Sequence, residues 1–323
     1  MSGVLPSVVE AIGETPLVAL SRLTAGLDGR ILAKLEYLNP GHSKKDRIAK
    51  RIVEDAEDAG DLRPGQPVVE LTSGNTGTGL ALVCAVKGHP FVAVMSRGNS
   101  PERAQMMRAF GAEVVLVDQA AGGELGHVSG DDLALVEAEA ARLARERGAF
   151  RADQFQLASN VLAHQEGTAE AVWLQSGGEI DAFCDFVGTG GSFAGVARAL
   201  KARRRSIRCY VVEPAGAAAL AGRRVTHPGH RIQGGGYAMG ALPLLDPDDV
   251  DGYVEVDDER AIDVARRLAR NEGVFAGYSS GAVVAAAIDL LAGPCQGGTV
   301  AVLLADSGMK YLSTDLWSDD AEG

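Results

Sequence analysis

Residues 68–95 read VVELTSGNTGTGLALVCAVKGHPFVAVM. An apolar run at 68–71 passes into a polar, glycine-bearing turn. A stretch of small and aliphatic residues follows at 76–87, then a second apolar run at 91–95. The short runs have the length of strands and the stretch between them the length of a helix. Two strands joined by a crossover helix pair in parallel, because a tight hairpin turn joins only antiparallel strands.

The same order extends outward on both sides. Towards the N-terminus, 31–37 reads as a strand and 46–59 as a helix with Ile48, Ile52, Val53 and Ala56 on one face. Towards the C-terminus come a helix at 101–110, with Pro101 in its first turn, and a strand at 113–117. The glycine-rich span 122–130 reads as a surface loop, and 132–147 and 160–175 as helices. Strand 182–187, helix 192–201 and strand 209–213 restore the alternation. A looser stretch rich in Gly and Pro occupies 214–258. Helices at 259–271 and 280–291 and a buried-type strand at 299–305 close the chain. Alternating strands and helices predict an α/β protein with mostly parallel sheets. Two α/β halves are expected to meet near residues 150–160.

Composition excludes several classes of function. The chain has 323 residues, 46% of them hydrophobic, which suffices for two cores. Lys and Arg total 31 against 43 Asp and Glu, a formal charge of −12 that opposes binding to nucleic acid or anionic membranes. The short basic run at 201–205 reads as a solvated helix end. Cys84, Cys184, Cys209 and Cys295 are widely spaced, without a C-x-x-C or a Cys/His cluster. Neither a disulfide framework nor a metal site is expected, and the first three read as core residues. No basic segment followed by an apolar leader opens the chain, and no apolar run reaches membrane-spanning length. A cytoplasmic protein is the expectation.

Two loops lie where a strand gives way to a helix: Thr72-Ser73-Gly74-Asn75-Thr76-Gly77 and Gly188-Thr189-Gly190-Gly191-Ser192. A helix N-terminus presents unpaired N–H groups and a partial positive charge, so either could cradle an anion or be simply a tight turn. A dinucleotide fingerprint from Gly188 would need glycine where Phe193 stands, and no Gly-Lys-Ser/Thr occurs for a nucleotide P-loop. Gly277-Tyr278-Ser279-Ser280-Gly281 matches the nucleophile elbow of hydrolases. All six histidines precede it, however, and that fold places its histidine after the serine.

Lys44 and Lys45 lie in Asn39-Pro40-Gly41-His42-Ser43-Lys44-Lys45-Asp46-Arg47. With the other motifs, this stretch resembles the cysteine synthase and cystathionine β-synthase family of fold type II pyridoxal-phosphate enzymes. Gly13-Glu14-Thr15-Pro16-Leu17 resembles the family's G-x-T-P-L, residues 39–47 its N-P-G-x-S-x-K-D-R, and residues 72–77 its T-S-G-N-T-G loop. Gln154-Phe155, the loop 188–192, the Q-G-x-G turn at Gln233-Gly234-Gly235-Gly236, residues 272–282 and Asp306-Ser307-Gly308 continue the match through the chain.

The resemblance implies two three-layer α/β/α domains like those of the tryptophan synthase β subunit. A smaller one would span 41–152, and a larger one 1–40 with 153–323. It implies pyridoxal 5′-phosphate as cofactor, with Lys45 as the Schiff-base lysine and proton carrier. Asn75 would meet the ring's phenolic oxygen, Gly188, Thr189, Gly190, Gly191 and Ser192 the phosphate, and Ser280 the pyridine nitrogen. Thr72, Ser73, Gly74, Thr76 and Gln154 would grip the substrate carboxylate, with Gly236 beside the substrate. A hydroxyl partner leaves the ring nitrogen largely unprotonated, which favours loss of a Cβ substituent over storage of charge at Cα.

The expected activity is β-replacement on an O-activated L-serine, foremost O-acetylserine, through an aminoacrylate. Sulfide would give L-cysteine. Alternatives are a serine or threonine dehydratase, or replacement using O-phosphoserine or a nucleophile other than sulfide. The expected partners are a small amino acid, a small nucleophile and a second copy of the chain. The chain departs from familiar members in two places. His42 and Lys44 add positive charge facing either solvent or an anionic substrate, and residues 234–244 replace the usual G-x-G-x-G-F-I-P run.

Overall fold

The computed structural model describes residues 3–72, 74–99, 101–121 and 130–318. The loop expected at 122–130 therefore lies almost wholly outside the described residues, as does Ser73. The chain opens with β1 (Leu17–Ala19) and β2 (Arg30–Lys34), then α1 (Lys45–Ala59), β3 (Val68–Leu71), α2 (Asn75–Lys87) and β4 (Phe91–Ser96). Next come α3 (Pro101–Ala109), β5 (Glu113–Val117), α4 (Gly130–Arg147), β6 (Phe150–Arg151), α5 (Ser159–Leu162) and α6 (Ala169–Gln175). The last third holds β7 (Ala182–Phe186), α7 (Gly191–Arg203), β8 (Arg208–Pro214), β9 (Gly252–Val256), α8 (Asp258–Arg267), α9 (Tyr278–Ala292) and β10 (Thr299–Leu303).

These elements form two compact units. The first comprises Met1–Gly13, Asn39–Gly41 and Lys45–Ser159, and the second Glu14–Leu38, His42–Lys44 and Asn160–Gly323. In the first, four parallel strands run in the order β5-β4-β3-β6. Alternate strand residues serve opposite faces, as the two-residue period of a strand requires. Val68, Phe91, Ala93 and Met95 pack with Ile52, Leu80 and Met107 from α1, α2 and α3. Val69, Val92 and Val94 pack with Val136, Ala140 and Leu143 of α4. The sheet is thus covered on both sides.

The second unit repeats the plan around six strands in the order β1-β2-β10-β7-β8-β9, all parallel except β1 against β2. Ala182 and Cys184 face the core of α8 and α9, while Phe183 meets Phe193, Val196 and Leu200 of α7. Helix α9 is apolar over most of its surface because it is buried over most of it, with Asp289 near its C-terminal end pairing with Arg260. Both units are three-layer α/β/α sandwiches. No helix among the described residues is long and apolar enough to cross a membrane.

The division differs from the sequence expectation at both ends of the smaller unit. Residues 3–13 join it because Val9 and Ile12 are buried in its core, and the unit continues to Ser159. His42–Lys44 belong to the other unit, where the Lys44 N–H donates to the Ala305 carbonyl and the Ser307 N–H to the His42 carbonyl. All four cysteines are unpaired and buried. Burial pushes the thiols of Cys84 and Cys209 up to about 12.

Candidate active site

In the first unit, Lys45 is the first residue of α1 and Asn75 the first of α2. The two helices pack closely at their N-terminal turns. A Cβ on Gly79 would sit 3.1 Å from the Lys45 carbonyl oxygen and 3.0 Å from the Ala49 methyl, so glycine is what allows the approach. Ahead of α1, the Gly41 N–H donates to the buried Asp46 carboxylate at 2.5 Å. Asn39 Oδ1 accepts from the Gly13 N–H at 2.8 Å, and Arg47 donates to the Gly13 carbonyl at 2.9 Å. Two separated motifs of the sequence, 13–17 and 39–47, thereby brace the lysine's helix. Lys45 itself is half-buried.

The loop before α2 is organised by its own hydroxyls. Thr72 Oγ accepts from the Gly77 N–H at 2.8 Å, and Thr76 Oγ donates to Gln154 Oε1 at 2.6 Å. Gly74, the residue that caps α2, has no side chain to offer the helix N-terminus, which leaves room there for a carboxylate. The structure therefore brings Thr72, Gly74, Thr76 and Gln154 together beside Asn75. Sequence reading missed Glu70, which stands on β3 just before this loop, fully buried. Its carboxylate pairs with Arg151 at 3.2 Å and accepts from the Gln154 N–H at 3.4 Å. Burial pushes its pKa well above the usual carboxylate range, against the pull of Arg151.

In the second unit, β7 is followed by Gly188-Thr189-Gly190-Gly191-Ser192, and α7 begins at Gly191. Gly190 occupies the left-handed region (φ +83°), and α7 has no side-chain cap. A Cβ on Gly191 would lie 2.2 Å from Asn160 Oδ1, and one on Gly188 2.8 Å from the Gly234 carbonyl. Thr189 Oγ accepts from Asn160 Nδ2 at 2.9 Å and from the Gly191 N–H at 3.4 Å. Among the described residues this hydroxyl donates to no partner, so its proton is left for a ligand. The N-terminus of α7, the bare glycine backbone and that hydroxyl together fit a phosphate group.

Gly236 (φ +70°) supports this loop. Its N–H donates to the Val187 carbonyl at 2.9 Å, and its carbonyl is bonded to His230 Nε2 at 2.8 Å. Ser280, fully buried in the first turn of α9, accepts from the Ala305 N–H at 3.1 Å. It too donates to nothing among the described residues, which fits a hydroxyl meant for a pyridine nitrogen.

Lys44 is neither solvated nor open to an anionic substrate, the two orientations expected for it. It is buried, with Nζ 2.9 and 2.8 Å from the two oxygens of Asp185 and 3.0 Å from Ser192 Oγ. His42 is exposed, in the left-handed region at φ 63°.

The model of the pyridoxal-phosphate dependent enzyme family matches residues 8–306. The chain belongs to this family. Within it, the chain is a fold type II enzyme of the cysteine synthase group. It is 39% identical to O-ureido-L-serine synthase of Streptomyces lavendulae over 98% of this chain and 94% of that one. It is 38% identical to a cysteine synthase of Staphylococcus aureus, covering 97% of each. The solved structure of O-acetylserine sulfhydrylase isoform 3 from Entamoeba histolytica aligns with a TM-score of 0.90 at 34% identity, over 100% of this chain and 94% of that one. Pyridoxal phosphate is thus the cofactor of this fold type II enzyme. Among the described residues no cluster of three His, Cys, Asp or Glu could hold a metal ion.

Proposed function

We propose that the enzyme catalyses β-replacement on an O-activated L-serine, with O-acetylserine as donor and sulfide as nucleophile, yielding L-cysteine. The observation that carries this reading is Ser280, a buried hydroxyl rather than a carboxylate, with its proton left to donate. The bound cofactor supplies an electron-withdrawing imine next to Cα. Held against the neutral hydroxyl of Ser280, the group would store little charge, which favours loss of a Cβ substituent.

The remaining work falls to the chain's own residues. Lys45 would hold the cofactor through its Nζ, and the same amine would serve as the base for the Cα proton. Asn75 meets the ring oxygen. The N–H groups of residues 188–192 and the Thr189 hydroxyl receive the phosphate. Gly74 and the Thr72, Thr76 and Gln154 side chains orient the substrate carboxylate, a task that the resemblance extends to Ser73. The relatives suggest a second nucleophile. The 39% identity to an O-ureido-L-serine synthase favours trying hydroxyurea, whose oxygen would give O-ureido-L-serine.

The test incubates the holoenzyme with O-acetylserine and sulfide, hydroxyurea or neither, and identifies products by mass. Cysteine formation supports the reading. Pyruvate release without any replacement product, with or without nucleophile, would make the enzyme a lyase. O-phosphoserine outcompeting O-acetylserine would change the donor.

A further inference from the structure

Lys44 and Asp185 form a buried ion pair at the loop that opens α7, and the mechanism above uses neither residue. All three ammonium donors of Lys44 are engaged, two by the Asp185 carboxylate and one by Ser192 Oγ. Ser192 in turn donates its only hydroxyl proton to Asp185 Oδ2 at 2.5 Å. The triangle is closed. Its third corner is a residue of the loop assigned to the phosphate, whereas Thr189, in the same loop, keeps its proton.

Backbone bonds tie the triangle to the rest of the cofactor machinery in this unit. The Lys44 N–H donates to the Ala305 carbonyl at 2.8 Å, and the Ala305 N–H donates to Ser280 Oγ at 3.1 Å. Asp185 lies on β7, the strand that feeds the loop. A buried charge pair of this kind is a costly way to fill space, since neutral residues of similar size often stabilise as well or better. Its location suggests an electrostatic task.

We propose that Lys44 and Asp185 are a positioning pair for the cofactor phosphate. They hold the Ser192 hydroxyl off the phosphate and keep the charge beside the loop balanced, so that the loop selects a phosphorylated cofactor. This inference rests on the pyridoxal-phosphate reading of the site. Removing Lys44 leaves a bare carboxylate beside a doubly charged phosphate, and the two repel. Removing the charge of Asp185 leaves a bare ammonium, which attracts. The two single variants therefore act with opposite sign on the phosphate and leave the rest of the cofactor alone.

The experiment measures the Kd of the apoenzyme for pyridoxal phosphate and for pyridoxal, which has the same ring and aldehyde without the phosphate. Lys44→Met is expected to weaken pyridoxal phosphate relative to pyridoxal by about tenfold, the size of one lost charge contact. Asp185→Asn is expected to shift the ratio the other way, and the double variant to return within about threefold of the parent, because both charges are gone. Circular dichroism checks folding. Should Lys44→Met fail to fold, the sign is read from Asp185→Asn alone. A role in packing only would weaken both ligands equally, and that result overturns the proposal, as do single variants that move the ratio in the same direction. A parent chain that binds no pyridoxal phosphate overturns the cofactor reading together with the pair. A parent that binds it while the variants' ratios stay fixed overturns the pair alone.

Discussion

Ala305 holds Ser280 in place, its N–H donating to the serine Oγ at 3.1 Å in a fully buried setting. The serine accepts that N–H and, among the described residues, donates to no partner. Ser280→Ala should strand the Ala305 N–H and cost about 1–3 kcal/mol of stability, read by urea denaturation of the apoenzyme. It should also lower kcat by about tenfold, as expected for loss of a single oriented bond to the cofactor.

Lys45 sits at the head of α1, its helix braced by Asp46, Asn39 and Arg47. Lys45→Ala should take no pyridoxyl label on borohydride reduction, while peptide mapping of the parent finds the label at residue 45. Turnover should fall by at least about a thousandfold, the scale of removing a proton-transfer group and covalent anchor together.

Glu70 offers a pH test. Its folded-state pKa is raised, mainly by burial, so the folded protein binds a proton more readily than the unfolded chain. Its contribution to stability is complete below the unfolded-state value of about 4.3 and is lost as pH rises towards the folded-state value. Glu70→Gln removes that loss. The stability difference between variant and parent should therefore move in the variant's favour as pH rises from 5 to 8. A difference independent of pH would contradict the assignment.

His42 adopts φ 63° with an exposed side chain, a conformation that suits glycine and that other residues hold at some cost. His42→Gly should raise stability by up to about 1 kcal/mol in thermal or chemical denaturation. Loss of stability instead would mean that the imidazole makes a contact worth more than the backbone strain.

Much of this architecture is legible in the sequence because its strands are buried on both faces. β3, β4, β7, β8 and β10 are short, almost wholly apolar runs bounded by turns, and the helices between them carry clear apolar spacing. Strands at the margins escape such reading. β1 and β9 are half-exposed, so their residues lack a continuous apolar signature, and β6 has only two residues. The helix expected at 160–175 is interrupted by a π-helical stretch at Ala163–Thr168, and that expected at 259–271 passes into another at Leu268–Glu272. Apolar periodicity does not register a local change of hydrogen-bond step.

The loops 72–77 and 188–192 are legible through glycine and position. The partner of Lys44 is not, because Asp185 lies 141 residues away on a strand that reads as core. An aspartate within an apolar run such as AFCDF is the one signal that could have prompted the search for a buried cation.

The burial of every cysteine has a practical corollary. Polysulfides and mixed persulfides, which accompany sulfide in any assay of the proposed reaction, capture accessible thiolates. Cys84, Cys184, Cys209 and Cys295 are all sheltered from water, so neither sulfur exchange nor air should inactivate the folded enzyme. Activity is therefore expected to be the same with and without added reductant during purification and assay.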